Sequence, residues 1–336
     1  MYDGDHSPAA GERPRTRRGG EICHSGTKKD AEDGAKDRGI VAAGLYPRDI
    51  LESSPSPSRS NFVEIWGVLN VTPDSFSDGG LFLNRDAAIA RARQMLAEGA
   101  HVIDVGGASS RPKGQTYGAG AEDVAVDVEI ARVVPVVEVL VREGAKVSID
   151  TTRGEVADAA LRAGAQIVND VSMGRDPALL AAVAAHRAEL VLMHTRGAGE
   201  VTPENTAYAD VVREVFIALE HACERARAAG IEADRLWIDP GLGFAKTADQ
   251  SARLLAHTRD FLGLGAKVLV GASRKSFLSV LAEHEGVRPA PDARLAASLV
   301  AAIEAARGGA HAVRVHDVAE TRQALAVMNA LEARHA

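Results

Sequence analysis

From residue 62 onward, short apolar runs alternate with longer stretches of helical period. In chain order the runs are "EIWGVLNV", "HVIDVGG", "KVSIDT", "QIVNDV", "ELVLMH", "LWIDPG", "KVLVGAS" and "AVRVHD". Apolar runs of this length bounded by turn residues read as strands buried on both faces. Between them lie helical segments such as "RDAAIARARQMLAEGA", "AEDVAVDVEIARVVPVVEVLVREGA", "RGEVADAALRAGA", "YADVVREVFIALEHACERARAAG" and "ARLAASLVAAIEAARGGA". Several close on Gly before the next strand, as helix stop signals do. Strands alternating with helices imply a parallel sheet covered by helices on its outer side. Eight such units over roughly 270 residues match a closed (β/α)8 TIM barrel in number and length. The main rival, a doubly wound open sheet, usually has fewer strands and opens on a G-x-G-x-x-G loop; no such loop follows a strand here.

The barrel makes a sharp demand on the polar residues, because functional side chains of this fold gather at the C-terminal ends of the strands. Those ends carry Asn70, Asp104, Asp150, Asn169, His194, Asp239, Ser273, and Arg314 with His316. One polar residue at a strand end is most simply a helix cap. A polar residue from every unit, including three carboxylates and two amides inside otherwise apolar runs, reads instead as a lined pocket. Asp and Asn together present acceptors and paired donors, which suit the edge of a flat nitrogen heterocycle. Arg274, Lys275, Arg314 and His316 come from the last two units, where many barrels hold phosphate. The expected pocket thus takes a heterocycle at its base and an anion near its mouth.

Two loops have the composition of mobile lids, "TPDSFSDGG" after the first strand and "GGASSRPKGQTYGAG" after the second. Phe76, Arg111 and Pro112 on them suit packing against an aromatic substrate. "GLGFAKT" lacks the spacing of a phosphate-binding P-loop.

Composition narrows the classes. The chain has 336 residues, 46% of them apolar and 25% charged, enough for one large core. Residues 1–60 are rich in Gly, Pro, Ser and charge, with "GIVAAGLY" the one apolar patch; this reads as a disordered extension ahead of a barrel over 61–336, without the pattern of a secretory signal or transit peptide. A net charge of −7 argues against a general nucleic-acid binder. No run is long and apolar enough for a membrane span. Cys23 and Cys223 have no partner at metal-ligand spacing, and reduced thiols in the cytoplasm are the expected state.

The ordered motifs "GVLNVTPDSFSDGG", "IDVGGASSRP", "SIDT", "NDV", "LMH", "DPGLGFAKT", "GASRKSF" and "RVHD" resemble dihydropteroate synthase, a pterin-binding TIM-barrel family of folate biosynthesis, from about residue 64 to 331. What the resemblance implies is a transferase of an alkyl group other than methyl. It joins p-aminobenzoate to 6-hydroxymethyl-7,8-dihydropterin diphosphate, giving 7,8-dihydropteroate and pyrophosphate with Mg2+ present. Carried onto this chain, Asp150, Asn169, Met193, Asp239, Phe244, Lys275 and Arg314 are implied for the pterin. Asn70, Arg314 and His316 are implied for the pyrophosphate, with Asn70 also on the metal. Phe76, Ser110, Arg111, Pro112, Lys275 and Ser276 are implied for p-aminobenzoate. The implied catalytic set is Asn70, Asp150, Asp239, Lys275, Arg314 and His316, and the implied assembly is a homodimer through helices of the last units.

The chain departs from the usual pattern in its second loop. It has Ala108 where Glu is usual, Ser110 where Thr is usual, and Lys113 where Gly follows the Pro. The loss of a carboxylate removes a partner for a loop arginine and bears on affinity for p-aminobenzoate and sulfonamides. Two other readings share the barrel: a pterin-binding paralogue without turnover, motivated by Ala108, and a pterin methyltransferase domain that works with a corrinoid partner. Asp104 in either case has a simpler reading as a tie for the second loop.

Overall fold

The computed structural model describes residues 62–72, 81–108, 124–197 and 200–334. The expected extension over residues 1–60, and its boundary with the barrel, lie outside them. Each apolar run becomes a strand and each polar-flanked stretch between runs contains a helix. In chain order these are β1 (Glu64–Asn70), α1 (Leu81–Glu98), β2 (Val102–Gly106), α2 (Val126–Arg142), β3 (Val147–Asp150), α3 (Gly154–Arg162), β4 (Ile167–Asp170) and α4 (Pro177–His186). They continue as β5 (Glu189–Met193), α5 (Val211–Ala228), β6 (Leu236–Asp239), α6 (Ala248–Ala256), β7 (Lys267–Val270), α7 (Ser276–Leu281), α8 (Leu295–Arg307), β8 (Ala312–Val315) and α9 (Val318–Glu332). The eight parallel strands pair in sequence order and close, β8 returning to β1. The expected (β/α)8 barrel is therefore the fold.

Period-two alternation along the strands sorts their side chains into two populations. Ile65, Leu69, Ile103, Val105, Val147, Ile149, Val168, Leu190, Leu192, Ile238, Val268, Val270 and Val313 pack outward into one apolar layer with the helices. The intervening residues Trp66, Val102, Ile167, Val191, Trp237, Leu269 and Ala312 form a separate cluster inside the barrel. Trp66 and Trp237 stand on strands that do not pair, yet their rings meet edge to face at 5.0 Å. They can do so only across the interior. Both are essentially fully buried, and each indole N–H is satisfied by a carboxylate at the N-terminal rim: Trp66 Nε1 donates to Glu64 at 2.8 Å and Trp237 Nε1 to Glu189 at 2.6 Å. Lys146 and Lys267 hold Glu189 in turn, at 2.7 and 3.1 Å. The lower half of the barrel is thereby a sealed apolar floor.

Continuing the same inward parity above the floor gives Asn70, Asp104, Asp150, Asn169, Met193, Asp239 and Arg314. Strand pairing aligns Asn70 with Gly106, Gly106 with Asp150 and Asp150 with Asn169, so these ends form one row around the mouth. Asp170 has the opposite parity. It serves its own loop, accepting from the N–H groups of Ser172 at 2.7 Å and Gly174 at 2.5 Å.

The loop between β6 and α6, "PGLGFAK", is pinned by a lysine. Lys246 is buried and its ammonium donates to the carbonyls of Gly241 at 3.0 Å, Phe244 at 2.9 Å and His194 at 3.3 Å, and to Nδ1 of His194 at 2.9 Å. Burial pulls its pKa well down from the usual lysine value, but the surrounding acceptors require a donor there. The loop approaches β5 so closely that a Cβ on Gly241, which sits at φ +69°, would lie 1.9 Å from the carbonyl oxygen of His194. Gly241→Ala is therefore expected to lower stability by about 3 kcal/mol, from steric overlap and a left-handed backbone together. The urea midpoint of the full chain measures this, and an unchanged midpoint would show that the loop is not held in this way.

Candidate active site

The charged residues above the floor form one connected cluster. Arg314, from the middle of β8, donates from Nε to Asp104 Oδ2 at 2.5 Å and from Nη2 to Asp150 Oδ2 at 2.7 Å. Asn169 donates from Nδ2 to the same Asp104 oxygen at 3.0 Å. Asp104 is wholly buried, and its Oδ1 has no hydrogen-bond partner. Its expected reading as a loop tie is corrected by these contacts: the side chain lies inside the barrel, joined to β4 and β8.

Asp239 and Lys275 complete the inner wall. A Cβ placed on Gly271 would stand 3.6 Å from Asp239 Oδ2, 3.7 Å from Lys275 Nζ and 3.8 Å from Arg314 Cβ, so three charged side chains converge on one glycine. Asp239 Oδ1 accepts from the N–H of Gly241 at 2.7 Å, which ties the carboxylate to the pinned loop. The Lys275 ammonium lies 4.8 Å from the centre of the Phe244 ring, a cation over an aromatic face. Met193 is buried at the end of β5, paired in register with Asp239.

At the rim, the same construction on Gly106 finds Asn70 Oδ1 at 3.7 Å and Asp150 Cβ at 3.7 Å. Asn70 and Asp150 thus face each other across the small residue that ends β2. On the opposite side Ser273 Oγ accepts from the N–H of His316 at 3.2 Å and lies 3.1 Å from its Nδ1. Arg274 at φ +60° turns away from the cluster and forms a two-pronged ion pair with Asp317, its Nε 3.0 Å from Oδ2. It braces the loop after β7 to the start of α9. His194, which the strand-end reading placed with the pocket, is one residue out of parity and holds Lys246 instead.

The structure thus brings together Asp150, Asn169, Asp239, Lys275, Arg314, Phe244 and Met193, with Asn70 and His316 at the rim and Ser276 opening α7. Phe76, Ser110, Arg111 and Pro112 lie outside the described residues. Glu129 was absent from the sequence reading. Buried on α2, it accepts from Thr151 Oγ1 at 2.9 Å and from Arg153 at 3.1 Å, and Arg153 also donates to the carbonyl of Val124. Arg132 of the same helix donates to the carbonyl of Gly107 at 2.9 Å. Arg132 of α2 thus holds the start of the second loop, while Arg153, braced by Glu129, holds the segment that leads into α2. Local pattern carries no signal for Glu129, whose partners lie 22 and 24 positions away.

Crowding of charge in a buried site shifts the protonation equilibria. Burial pushes Asp150 up to about 7; Arg314 opposes this, and Asp104, Glu129 and Asp170 add to it. Burial also raises Asp239, with Lys275 and the Gly241 N–H pulling back. Lys275 falls to about 8 through burial, despite Asp239. Burial works against the charge on Arg314 too, but Asp104 and Asp150 hold its proton more firmly than usual. One carboxyl and an ammonium poised near neutrality, beside a second carboxyl raised by burial, are a signature of binding or catalysis.

Comparison with known proteins decides the family. Residues 66–316 match the profile described as pterin binding enzyme. The chain is 47% identical over 271 residues to the dihydropteroate synthase of Mycobacterium leprae, a match covering 80% of this chain and 93% of that one. The chain belongs to the dihydropteroate synthase family. Among solved structures it resembles Xanthomonas albilineans dihydropteroate synthase with 4-aminobenzoic acid (TM-score 0.73, 43% identity, 81% of this chain and 93% of the other). It likewise resembles that enzyme in complex with 7,8-dihydropteroate (TM-score 0.70, 41% identity, 81% and 94%).

Membership in the dihydropteroate synthase family leaves the electrostatics of this particular cluster open to direct measurement. A carboxyl whose folded pKa is raised favours the folded state at low pH and loses that advantage as pH rises toward the folded value. For Asp150 the window runs from the unfolded value, 3.8, to about 7. Between pH 5 and 7 the wild-type chain should therefore lose stability relative to Asp150→Asn by roughly 1 kcal/mol per pH unit, with no further change above. Parallel denaturation curves for the two chains over that range would contradict a proton on Asp150.

Proposed function

We propose that the chain condenses p-aminobenzoate with 6-hydroxymethyl-7,8-dihydropterin diphosphate, releasing pyrophosphate and 7,8-dihydropteroate. The observation that carries the reading is the convergence of Asp150, Asn169, Asp239, Lys275 and Arg314 above a closed floor. A pterin ring carries hydrogen-bonding groups around a flat edge, and these side chains offer carboxylate acceptors, an amide and an ammonium in one layer. Phe244 and Met193 provide apolar wall for the ring faces.

The chemistry asks for a departing anion and a positioned amine. Loss of pyrophosphate from the pterin methylene leaves a cation that the electron-rich ring spreads. Asp239 and Asp150 favour that positive charge, and Arg314 and His316 at the other end favour the leaving group. The incoming amine of p-aminobenzoate needs orientation more than a strong base, a role for Lys275, Ser276 and the loop residues Phe76, Ser110, Arg111 and Pro112. Mg2+ fits the rim through the amide oxygen of Asn70, since this ion takes one or two protein oxygens and draws its other ligands from phosphate and water. When bound it supplies charge neutralisation to the departing pyrophosphate.

Two copies are expected to pair through the last units, where Val300 on α8 and Val327 and Leu331 on α9 are more than half exposed, at 62%, 55% and 52%. Among the described residues no helix is long and apolar enough to cross a membrane, which accords with a cytoplasmic enzyme acting on small molecules. The light-scattering mass of the purified chain reads the assembly directly.

Pyrophosphate release by purified protein, with both substrates and Mg2+, tests the activity. Pterin binding without release would return the chain to the impaired-paralogue reading, for which Ala108 remains the motive. Asp239→Asn should weaken pterin binding roughly 10- to 100-fold, the worth of a hydrogen bond to a charged group, and leave the Michaelis constant for p-aminobenzoate within twofold. Equal effects on both substrates would undo the assignment. The pH profile of kcat/KM should be bell-shaped, rising as Asp150 ionises near 7 and falling as Lys275 loses its proton near 8. These limbs belong to the coupled set rather than to single residues.

A further inference from the structure

We propose that Asp104 is a positioning residue for substrate binding: it fixes the guanidinium plane of Arg314 and the amide polarity of Asn169, and so sets the hydrogen-bonding face that the pocket presents. The proposal rests on the pterin reading for the identity of the ligand and on geometry for everything else.

Asp104 stands on β2, and its partners stand on β8 and β4, each two strands away around the barrel. One oxygen, Oδ2, accepts from both: Arg314 Nε at 2.5 Å and Asn169 Nδ2 at 3.0 Å. An amide can rotate by half a turn and exchange its donor and acceptor, but a carboxylate repels the oxygen end. Asp104 therefore selects the orientation of Asn169 and leaves its carbonyl oxygen and second N–H for a ligand. The arginine is constrained in the same way. With Nε on Asp104 and Nη2 on Asp150, two bonds to separate strands fix the guanidinium plane, leaving its flat faces and Nη1 for a bound ring or an anion.

A merely structural role accounts poorly for this residue. In register it lies opposite Val68 and Ser148, and the inward layer beneath it is aliphatic or aromatic. An apolar side chain of similar volume at such a site is commonly neutral or stabilising compared with a buried charge pair. Here a wholly buried carboxylate keeps one oxygen, Oδ1, without any partner. Such a costly arrangement is the kind that persists where a site must be preorganised.

Asp104→Asn in the full chain tests the proposal, since it keeps the shape and removes the charge. The dissociation constant of a 6-substituted pterin without phosphates, measured by calorimetry, is expected to rise at least tenfold, with the Michaelis constant for p-aminobenzoate within twofold. The acid limb of pterin binding is expected to move to lower pH, because Asp150 loses a like-charged neighbour and keeps Arg314; Glu129 and Asp170 still face it. A space-filling residue would not move that limb. Unchanged pterin affinity, or an unmoved limb, overturns the proposal. Should the variant not fold, the wild-type chain answers by 15N-edited NMR. The Nε–H of Arg314 is expected to exchange slowly with solvent, and exchange as fast as that of surface arginines overturns the proposal. Weakened pterin binding in the variant of a chain without synthase turnover would uphold the role of Asp104 and discard the synthase reading.

Discussion

A guanidinium shared between two buried carboxylates holds the upper half of this barrel together. Three buried acidic side chains, Asp104, Asp150 and Asp239, and the half-buried cations of Arg314 and Lys275 share the space above the floor. None of them is tolerable there alone, because an unpaired buried charge costs several kcal/mol. Arg314 resolves the conflict by reaching across β1 to two strands at once. The remaining excess of negative charge is relieved by a proton that Asp150 keeps to about pH 7. Folding and chemistry are thus coupled: the contacts that make these charges bearable also leave them poised toward a ligand.

The same strand serves both ends of the compromise. On β8, Ala312 fills the floor and Arg314, two residues on, enters the cluster; on β6, Trp237 and Asp239 divide the work in the same way. A shift of one residue in register would exchange each charge with an outward apolar neighbour. The rim rests on loops that are themselves braced. Lys246 pins the turn behind Asp239, Arg274 joins the β7 loop to Asp317, Arg132 anchors the loop after β2 and Glu129 the loop after β3.

Much of this was legible in the chain. Eight apolar runs separated by helical stretches dictate the barrel, and the polar strand ends pick out Asn70, Asp150, Asn169, Asp239 and Arg314 before any coordinates. Taking the last polar residue of each run without regard to alternation is what misplaced His194. Inward parity along "ELVLM" selects Met193. Asp104 lies two residues before the end of its strand, where local pattern reads a tie to the following loop; cross-barrel partners 65 and 210 positions away are invisible to that pattern. Glu129 and the positive φ of Arg274 were equally hidden, since both depend on what packs against them. Phe76, Ser110, Arg111 and Pro112 stay where the motifs put them, on segments outside the described residues.

The paired indoles of Trp66 and Trp237 have a functional meaning as well as a structural one. Among the described residues they close the lower end of the barrel, so the charged cluster stands over a dead end. On the proposed roles the bicyclic substrate occupies the dead end and the aromatic amine stands nearer the threshold. On those roles the floor sets depth as well as shape, since the bicycle can go no lower than the indoles and the amine is left the shallower berth.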